Sequence, residues 1–249
     1  MYRICFLVIS CFLFFYASYC SMFCSFVVFF CVFFGCPTVA RVVPSFSVVF
    51  LCFLAVCCGL SQTKRPNVEI GSTLLTGPFH SALGVFTGKA PSQEELKWSA
   101  ENLHELSEYA CTMGITLGLE YLNRFESYLA TSSEELISLA DRVDHPNCKL
   151  MFDTFHANIE EKNMPIAIRQ MGKRLVHVQL SENDRSTLGA GHVDFKSILS
   201  ALDEIGYTGM LSIEAFSPKL SVANIWRKMF GSESQLMKES LEYLNQLRK

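Results

Sequence analysis

Short apolar runs alternate with longer amphipathic stretches from about residue 68 to the end of the chain. The apolar runs have the length and composition of buried strands, and they predict strands at 68–75, 115–122, 149–155, from 175, and at 209–216. The amphipathic stretches repeat their apolar positions every three to four residues, which predicts helices at 92–111, 134–143, 165–171, 195–205 and 234–247. Strands that alternate with helices are typical of a parallel sheet built from βα units.

Local signals at the helix ends support this order of elements. Ser92 with Glu95 three residues later forms a capping-box pattern that begins the first helix, and Gly114 ends it. Ser132 or Ser133 caps the second helix. The segments therefore predict five βα units, each beginning with a strand.

Polar side chains stand near the ends of four of these apolar runs. Glu120, Asp153, Gln179 and Glu214 each follow or close a strand that is otherwise apolar. A buried carboxylate is costly unless it is paired or binds a metal, so these positions need a partner. The carboxyl ends of parallel strands meet at one face of a (β/α)8 barrel, where the active site lies. We therefore predict an α/β fold of the TIM-barrel type that is incomplete, because five units are recognisable and eight are needed.

The first 60 residues differ in composition from the rest of the chain. They contain nine of the eleven cysteines and thirteen of the twenty-one phenylalanines, and their only charged residues are Arg3 and Arg41. The stretch 4–36 is long and apolar enough to span a bilayer, and 42–60 has borderline length. Translation of thymine-rich noncoding sequence in a faulty gene model also gives such a Phe/Cys/Val tract. We divide the chain into a hydrophobic tract, 1–60, with these two interpretations open, and a barrel domain, 68–249.

Net charge, cysteine positions and ligand type limit which partners, thiol roles and metals the chain can be expected to have. The net charge of −3 gives no argument for nucleic acid as a partner. Cys111 and Cys148 lie outside the tract, and we expect both to be packed thiols. The four strand-end positions offer mainly oxygen ligands, which suit Mn²⁺ or Mg²⁺ better than Zn²⁺.

Several motifs in the second half resemble those of one enzyme family. The segments are GLEYLNRFE at 118–126, MFDTFHANIEE at 151–161, SENDR at 181–185 with Gly191-His192, SIEAF at 212–216, and IWR at 225–227. In this order they resemble the ketose 3-epimerases of the D-tagatose and D-psicose type, which belong to the xylose-isomerase-like sugar isomerase/epimerase superfamily. The resemblance covers about residues 68–249 and implies a (β/α)8 barrel with one divalent ion, Mn²⁺ first, with Mg²⁺ or Co²⁺ as alternatives.

The resemblance also implies roles for individual residues. Its metal ligands correspond to Glu120, Asp153, Gln179 and Glu214, and its two acid/base glutamates to Glu120 and Glu214. The family has a histidine where this chain has Gln179. The neutral carbonyl oxygen of a glutamine is a weaker metal ligand than an imidazole. The expected substrate-binding residues are Glu126, His156, Arg185 and His80. For Arg185 a salt bridge with Asp184 or Glu182 is the alternative.

The implied reaction is inversion of C3 in a free ketose through an enediolate. A hydroxypyruvate or other aldose–ketose isomerase of the same superfamily is the first alternative, and an inactive, truncated, membrane-tethered product is the second. The expected partners are a small ketose and, if the chain oligomerises, further copies of itself. We expect the catalytic part in the cytoplasm, and membrane association only if residues 1–60 are genuine.

Overall fold

A single parallel sheet forms the framework of the protein. The computed structural model describes residues 72–219 and 225–248, and the backbone of residues 3–8. Six strands are hydrogen-bonded in the order β1-β6-β5-β4-β3-β2, and every neighbouring pair is parallel. Their bounds are β1 (Arg3–Val8), β2 (Leu74–Gly77), β3 (Thr116–Leu119), β4 (Cys148–Asp153), β5 (Leu175–Leu180) and β6 (Met210–Ala215).

Six helices connect or follow these strands within the described residues. They are α1 (Gln93–Thr112), α2 (Ser133–Val143), α3 (Thr154–Glu160), α4 (Met164–Met171), α5 (Phe195–Glu204) and α6 (Glu233–Leu247), with one 3-10 turn, Gly172–Arg174, before β5. Five of them match predicted helices to within one or two residues. The predicted strand-helix order of an incomplete TIM-type barrel is therefore confirmed.

The predicted helix starts are confirmed at the level of hydrogen bonds. The Glu95 main-chain N–H donates to Ser92 Oγ at 3.1 Å, and the Ser92 N–H donates to Glu95 Oε2 at 2.8 Å. Ser132, and not Ser133, caps α2 by accepting from the Glu135 N–H. Such reciprocal bonds satisfy N–H groups that have no partner inside the helix.

Three element boundaries differ from the predictions. The strand predicted at 115–122 ends at Leu119, because the chain turns into a loop in which the Glu126 N–H donates to the Asn123 carbonyl. The strand predicted at 149–155 ends at Asp153, whose side chain caps α3. That seven-residue helix is too short to show a helical period. The strand predicted at 68–75 is placed at Leu74–Gly77, and residues 68–71 lie outside the described part of the chain.

The strand β1 was not predicted, since its residues belong to the uniformly apolar N-terminal tract. It pairs with β6 over six residues, from Arg3 opposite Met210 to Val8 opposite Ala215. Residues 9–60 of that tract lie outside the described residues. The two interpretations of the tract, a membrane segment and a faulty gene model, therefore fall outside the described part of the chain. In the part of the chain that the structure describes, no helix has the length and hydropathy needed to cross a bilayer.

The core lies between the sheet and the helices that cover it. Its largest fully buried side chains include Tyr121, Phe152 and Phe195. Close strand packing requires a glycine at position 118, because a Cβ there would lie 2.9 Å from Thr76 Cγ2 and 3.3 Å from Val176 Cγ2. Cys148 is buried, as expected, and burial raises its pKa to about 11. Cys111 is exposed, so the expectation of a packed thiol is wrong there.

Candidate active site

The four strand-end residues all lie at the carboxyl end of the sheet. Glu120 directly follows β3, Asp153 ends β4, Gln179 is the last residue but one of β5, and Glu214 is the last but one of β6. Asp153 is opposite Gln179 in the ladder, and Gln179 is opposite Ser212. All four predicted residues are buried, with 1% of Asp153 and 7–8% of the others exposed.

A guanidinium group forms hydrogen bonds with two of the three carboxyl groups. Arg185 Nη1 donates to Asp153 Oδ2 at 2.6 Å and also donates to Glu214 Oε2. The same group lies between two aromatic rings, with Cζ 4.1 Å from the centre of Phe155 and 4.7 Å from that of Phe216. The alternative of a salt bridge to Asp184 or Glu182 is therefore wrong. Arg185 reaches across the site because charge pairing and ring stacking both favour that position.

The loop that carries Arg185 is held in an unusual backbone conformation. Arg185 has φ +61°, in the left-handed region that side chains other than glycine rarely adopt. Its N–H donates to the Glu182 carbonyl at 3.1 Å, and its carbonyl accepts from the Phe216 N–H at 3.0 Å. The fully buried Glu182 carboxylate accepts from the N–H groups of Gly189 and Val193. Glu182 therefore fixes this loop; the sequence signal for it is an acid two residues after the end of an apolar strand.

Three groups in the site have the spacing of a candidate metal centre. Ligand atoms of Glu120, Asp153 and His156 all lie within 4.8 Å of one another. His156 Nε2 is 3.7 Å from Glu120 Oε1 and 3.8 Å from Asp153 Oδ2. Glu214 joins the group through Arg185. Two residues before Gln179 on the same strand, His177 is buried, and its Nε2 lies 2.9 Å from Ser212 Oγ.

Burial and neighbouring charges raise the pKa of two carboxyl groups of the site and lower that of the third. Burial raises the pKa of Glu120 well above its usual range, and the charges of Asp153 and Glu214 add to that. Burial likewise raises the pKa of Glu214 to about 8, against the opposing effect of Arg185. Burial would also raise the pKa of Asp153, but Arg185 and then His156 reverse this and hold it below its ordinary value. Asp153 is thus the carboxyl group of the three whose ionised form the site favours.

A polar network supports the other side of the site. Asn123 Nδ2 donates to Glu126 Oε1 at 2.9 Å and lies 2.9 Å from His156 Nδ1. Burial lowers the pKa of His156 and outweighs the opposite effect of the Asp153 charge. Arg124 forms a bidentate ion pair with Glu160 nearby. Asn123 connects two of the predicted substrate-binding residues, Glu126 and His156.

His80 lies apart from this network, in the loop that follows β2. Its side chain is fully buried, and Nδ1 is 3.0 Å from Ser81 Oγ. Ser99 Oγ donates to the His80 carbonyl at 2.9 Å. Burial lowers the pKa of His80 to about 4, so the ring is neutral over most of the physiological range.

A cavity opens beside the guanidinium group. Its volume is about 380 Å³, within the usual range for small-molecule sites. Predicted substrate residues Glu126 and Arg185 line it, together with the rings that stack on Arg185. The other lining residues are Asp184, Ile225, Trp226, Arg227 and Met229. Sequence reasoning did not assign the aromatic walls Phe155 and Phe216; both follow a strand-end acid by two residues, and that spacing is their only signal.

Comparisons with known proteins give the family. Residues 68–247 match the family model described as xylose isomerase-like TIM barrel. An L-ribulose 3-epimerase of Methylomonas sp. is 36% identical over 183 residues, which cover 71% of this chain and 64% of the relative. A D-psicose 3-epimerase of Ruminiclostridium cellulolyticum is 41% identical over 118 residues, or 47% of this chain and 40% of the relative.

Solved structures agree with these relatives. The crystal structure of the Methylomonas sp. D-allulose 3-epimerase in complex with D-allulose has a TM-score of 0.70 and 32% identity, and the match covers 80% of this chain and 68% of the other. The matches thus cover less than two thirds of the length of the two named relatives, and about two thirds of the length of this solved structure. The resemblance to ketose 3-epimerases is confirmed, and this chain belongs to the xylose isomerase-like TIM-barrel family.

Proposed function

We propose that the chain is a metal-dependent isomerase that inverts C3 of a free ketose, with Glu120 and Glu214 as the two acid/base groups. The observation that carries the proposal is the pair of buried glutamates on either side of Asp153, delivered by strands that are not neighbours in the sheet. Inversion requires removal of a proton from one face of C3 and delivery to the other. Two carboxylates from separate strands suit that geometry. The relatives named 3-epimerases support this choice of carbon atom.

The donor set of the site fits a hard divalent ion. Glu120, Asp153 and Glu214 supply carboxylate oxygens, and the Gln179 amide supplies a neutral oxygen at the position expected for the fourth ligand. We propose Mn²⁺ as the ion, with Mg²⁺ or Co²⁺ as alternatives. When bound, such an ion would act as a Lewis acid that stabilises negative charge on the sugar oxygens next to C3.

The protonation of the two glutamates supports a role in proton transfer. Burial raises both pKa values, that of Glu214 to about 8, and so favours the protonated form of each side chain more than in an exposed glutamate. One glutamate must be ionised to accept the C3 proton while the other is protonated and donates. The ion pair between Asp153 and Arg185 would stay fixed during that exchange.

Polar groups around the cavity would orient the sugar. Arg185 offers N–H donors and Glu126 accepts hydrogen bonds at the cavity wall, and the His156 ring lies next to Arg185. The rings of Phe155 and Phe216 exclude water from the guanidinium group, which strengthens its interactions. We assign His80 to a supporting role in the proposed site, since its ring is buried behind Ser81.

Isotope exchange tests the proposal directly. The protein with added Mn²⁺ is incubated in D₂O with D-allulose, D-fructose, D-tagatose or L-ribulose, and the sugars are examined by NMR. Deuterium at C3 supports the 3-epimerase. Deuterium at C1, with an aldose as product, would instead support the aldose–ketose isomerase. If no sugar takes up deuterium, the result would support an inactive, truncated chain.

A further inference from the structure

A fully buried carboxylate outside the proposed acid/base pair holds the loop that carries Arg185. Glu182 Oε1 accepts from the Gly189 N–H at 3.0 Å, and Oε2 accepts from the N–H groups of Asn183 at 3.1 Å and Val193 at 3.3 Å. In the described part of the chain, all hydrogen bonds to this carboxylate come from the main chain of the same loop. The carboxylate thus ties both ends of the segment 182–193 together.

The backbone of this loop packs directly against the carboxylate. A Cβ at position 191 would overlap Glu182 Oε2 and Asn183 Oδ1, so only glycine fits there. Gly189 has φ +81°, a left-handed conformation that brings its N–H toward Glu182. Two glycines therefore allow the contacts that the carboxylate makes.

The main chain of Glu182 also begins the turn that Arg185 ends. The Arg185 N–H donates to the Glu182 carbonyl at 3.1 Å, and the left-handed φ of Arg185 persists only where the surroundings hold it. The Phe216 N–H holds the Arg185 carbonyl from the side of β6, and the Leu188 N–H donates to Ser240 Oγ on α6. The Glu182 carboxylate supplies the restraint within the loop itself.

The guanidinium group has little freedom in the position that the loop gives it. It lies between the rings of Phe155 and Phe216, and its Nη1 donates to both Asp153 and Glu214. Hydrogen bonds weaken steeply when the donor angle departs from linear. A small movement of the loop would therefore change the contacts of Arg185 with both carboxyl groups.

We propose that Glu182 is a positioning residue, whose carboxylate keeps the loop 182–193 closed and so holds the Arg185 guanidinium against Asp153 and Glu214. Glu182 acts through Arg185, since it does not line the cavity beside the guanidinium group. The importance of this position for a sugar rests on the proposed function. The position itself rests only on the contacts of the loop.

Hydrogen exchange of the wild-type protein tests the closed loop without any substitution. Gly189 and Gly191 are both exposed loop residues, but among the described residues only the N–H of Gly189 has an acceptor, the Glu182 carboxylate. After correction for the neighbouring side chains, we expect the Gly189 amide to exchange at least about tenfold more slowly than the Gly191 amide. Equal rates would show that the carboxylate does not hold the loop.

The variant Glu182→Gln tests the effect on Arg185. It keeps the size of the side chain, but it removes the charge and turns an N–H donor toward main-chain N–H groups. The matched control is Glu161→Gln, because Glu161 Oε1 also accepts from a main-chain N–H, that of Ser133 at the start of α2.

NMR of the Arg185 side chain supplies the readout. The rings on both sides of the guanidinium group shift these signals upfield, and the signals are assigned from their loss in Arg185→Met. We expect Glu182→Gln to move them toward the values of an exposed arginine, and Glu161→Gln to leave them in place. Unchanged signals in Glu182→Gln, or the same movement in both variants, would overturn the proposal.

A double-mutant cycle tests whether Glu182 acts through Arg185. Epimerisation of D-allulose with Mn²⁺ is measured for the wild type, Glu182→Gln, Arg185→Met and the double variant. We expect Glu182→Gln to slow the wild type and to have no further effect in Arg185→Met, whereas additive effects would contradict the positioning role. Hydrogen exchange and NMR need no sugar, so this proposal and the proposed function fail separately.

Discussion

The buried ring of His80 should make the stability of the protein depend on pH. Burial lowers the pKa of this side chain from 6.5 to about 4 in the folded state. An unfolded chain therefore binds a proton between these two values that the folded chain does not bind. The contribution of neutral His80 is complete above pH 6.5 and is lost as the pH falls toward 4.

The size of the effect follows from the two pKa values. They differ by about 2.5, and each pH unit is worth about 1.4 kcal/mol, so the loss between pH 7 and pH 4 is about 3 kcal/mol. That is a large part of the 5–15 kcal/mol expected for a typical domain. Other buried groups oppose it, since Glu120 and Glu214 have raised pKa values and lose stability as the pH rises.

The free energy of unfolding must therefore be compared between the wild type and a variant without His80. Urea unfolding of the wild type and of His80→Gln is compared at half-unit steps from pH 4 to pH 7. We expect the variant to gain about 3 kcal/mol relative to the wild type as the pH falls. The exposed His192 provides a control, His192→Gln, for the loss of an imidazole from the chain. A constant difference across this range would refute the reasoning, as would an NMR titration of wild-type His80 with a midpoint near 6.5.

Three other substitutions test the packing and the charges. Phe152→Ala should cost about 3–5 kcal/mol in urea unfolding, because the ring is fully buried, and a loss below 1 kcal/mol would contradict the core described here. Ser92→Ala removes one half of the capping box and should cost about 1 kcal/mol, whereas Ser200→Ala, exposed on α5, should cost far less. Arg185→Met leaves Asp153 and Glu214 without their counter-charge and should lower metal-free stability by about 3–5 kcal/mol; an unchanged midpoint would contradict the paired arrangement.

Local patterns predicted most of the framework. The strand-helix order, the capping box at Ser92 and the meeting of four polar residues at one face follow from short-range spacing. The strand β1 could not be predicted, because its residues show the same apolar pattern as their neighbours. The helix α3 was missed because seven residues are too few for a recognisable period.

Features that depend on contacts between distant residues could not be predicted from the sequence. Arg185 pairs with Asp153, 32 positions earlier, and with Glu214, 29 positions later, and no local pattern separates this from a surface salt bridge. The lowered pKa of His80 results from burial by the whole fold. The His156 ring accepts a hydrogen bond from the main chain of Asn123, 33 positions away. Such contacts set the chemistry of the site once the local elements are in place.

The central claim is that Glu120 and Glu214 act on opposite faces of C3. It is tested most directly when exchange of the C3 proton and epimerisation are measured separately. Glu120→Gln and Glu214→Gln each keep a side-chain oxygen but lose one acid/base group. With Mn²⁺ in D₂O, each variant is incubated with one C3 epimer and then with the other, and NMR records both deuterium at C3 and the inverted sugar.

We expect both variants to lose epimerisation by about 10²–10⁴-fold, the usual contribution of a general acid or base. Each should still exchange the C3 proton of one epimer, and the two variants should act on opposite epimers. Exchange of the same epimer by both variants, or epimerisation at the wild-type rate by either, would contradict the assignment of Glu120 and Glu214 to opposite faces of the sugar.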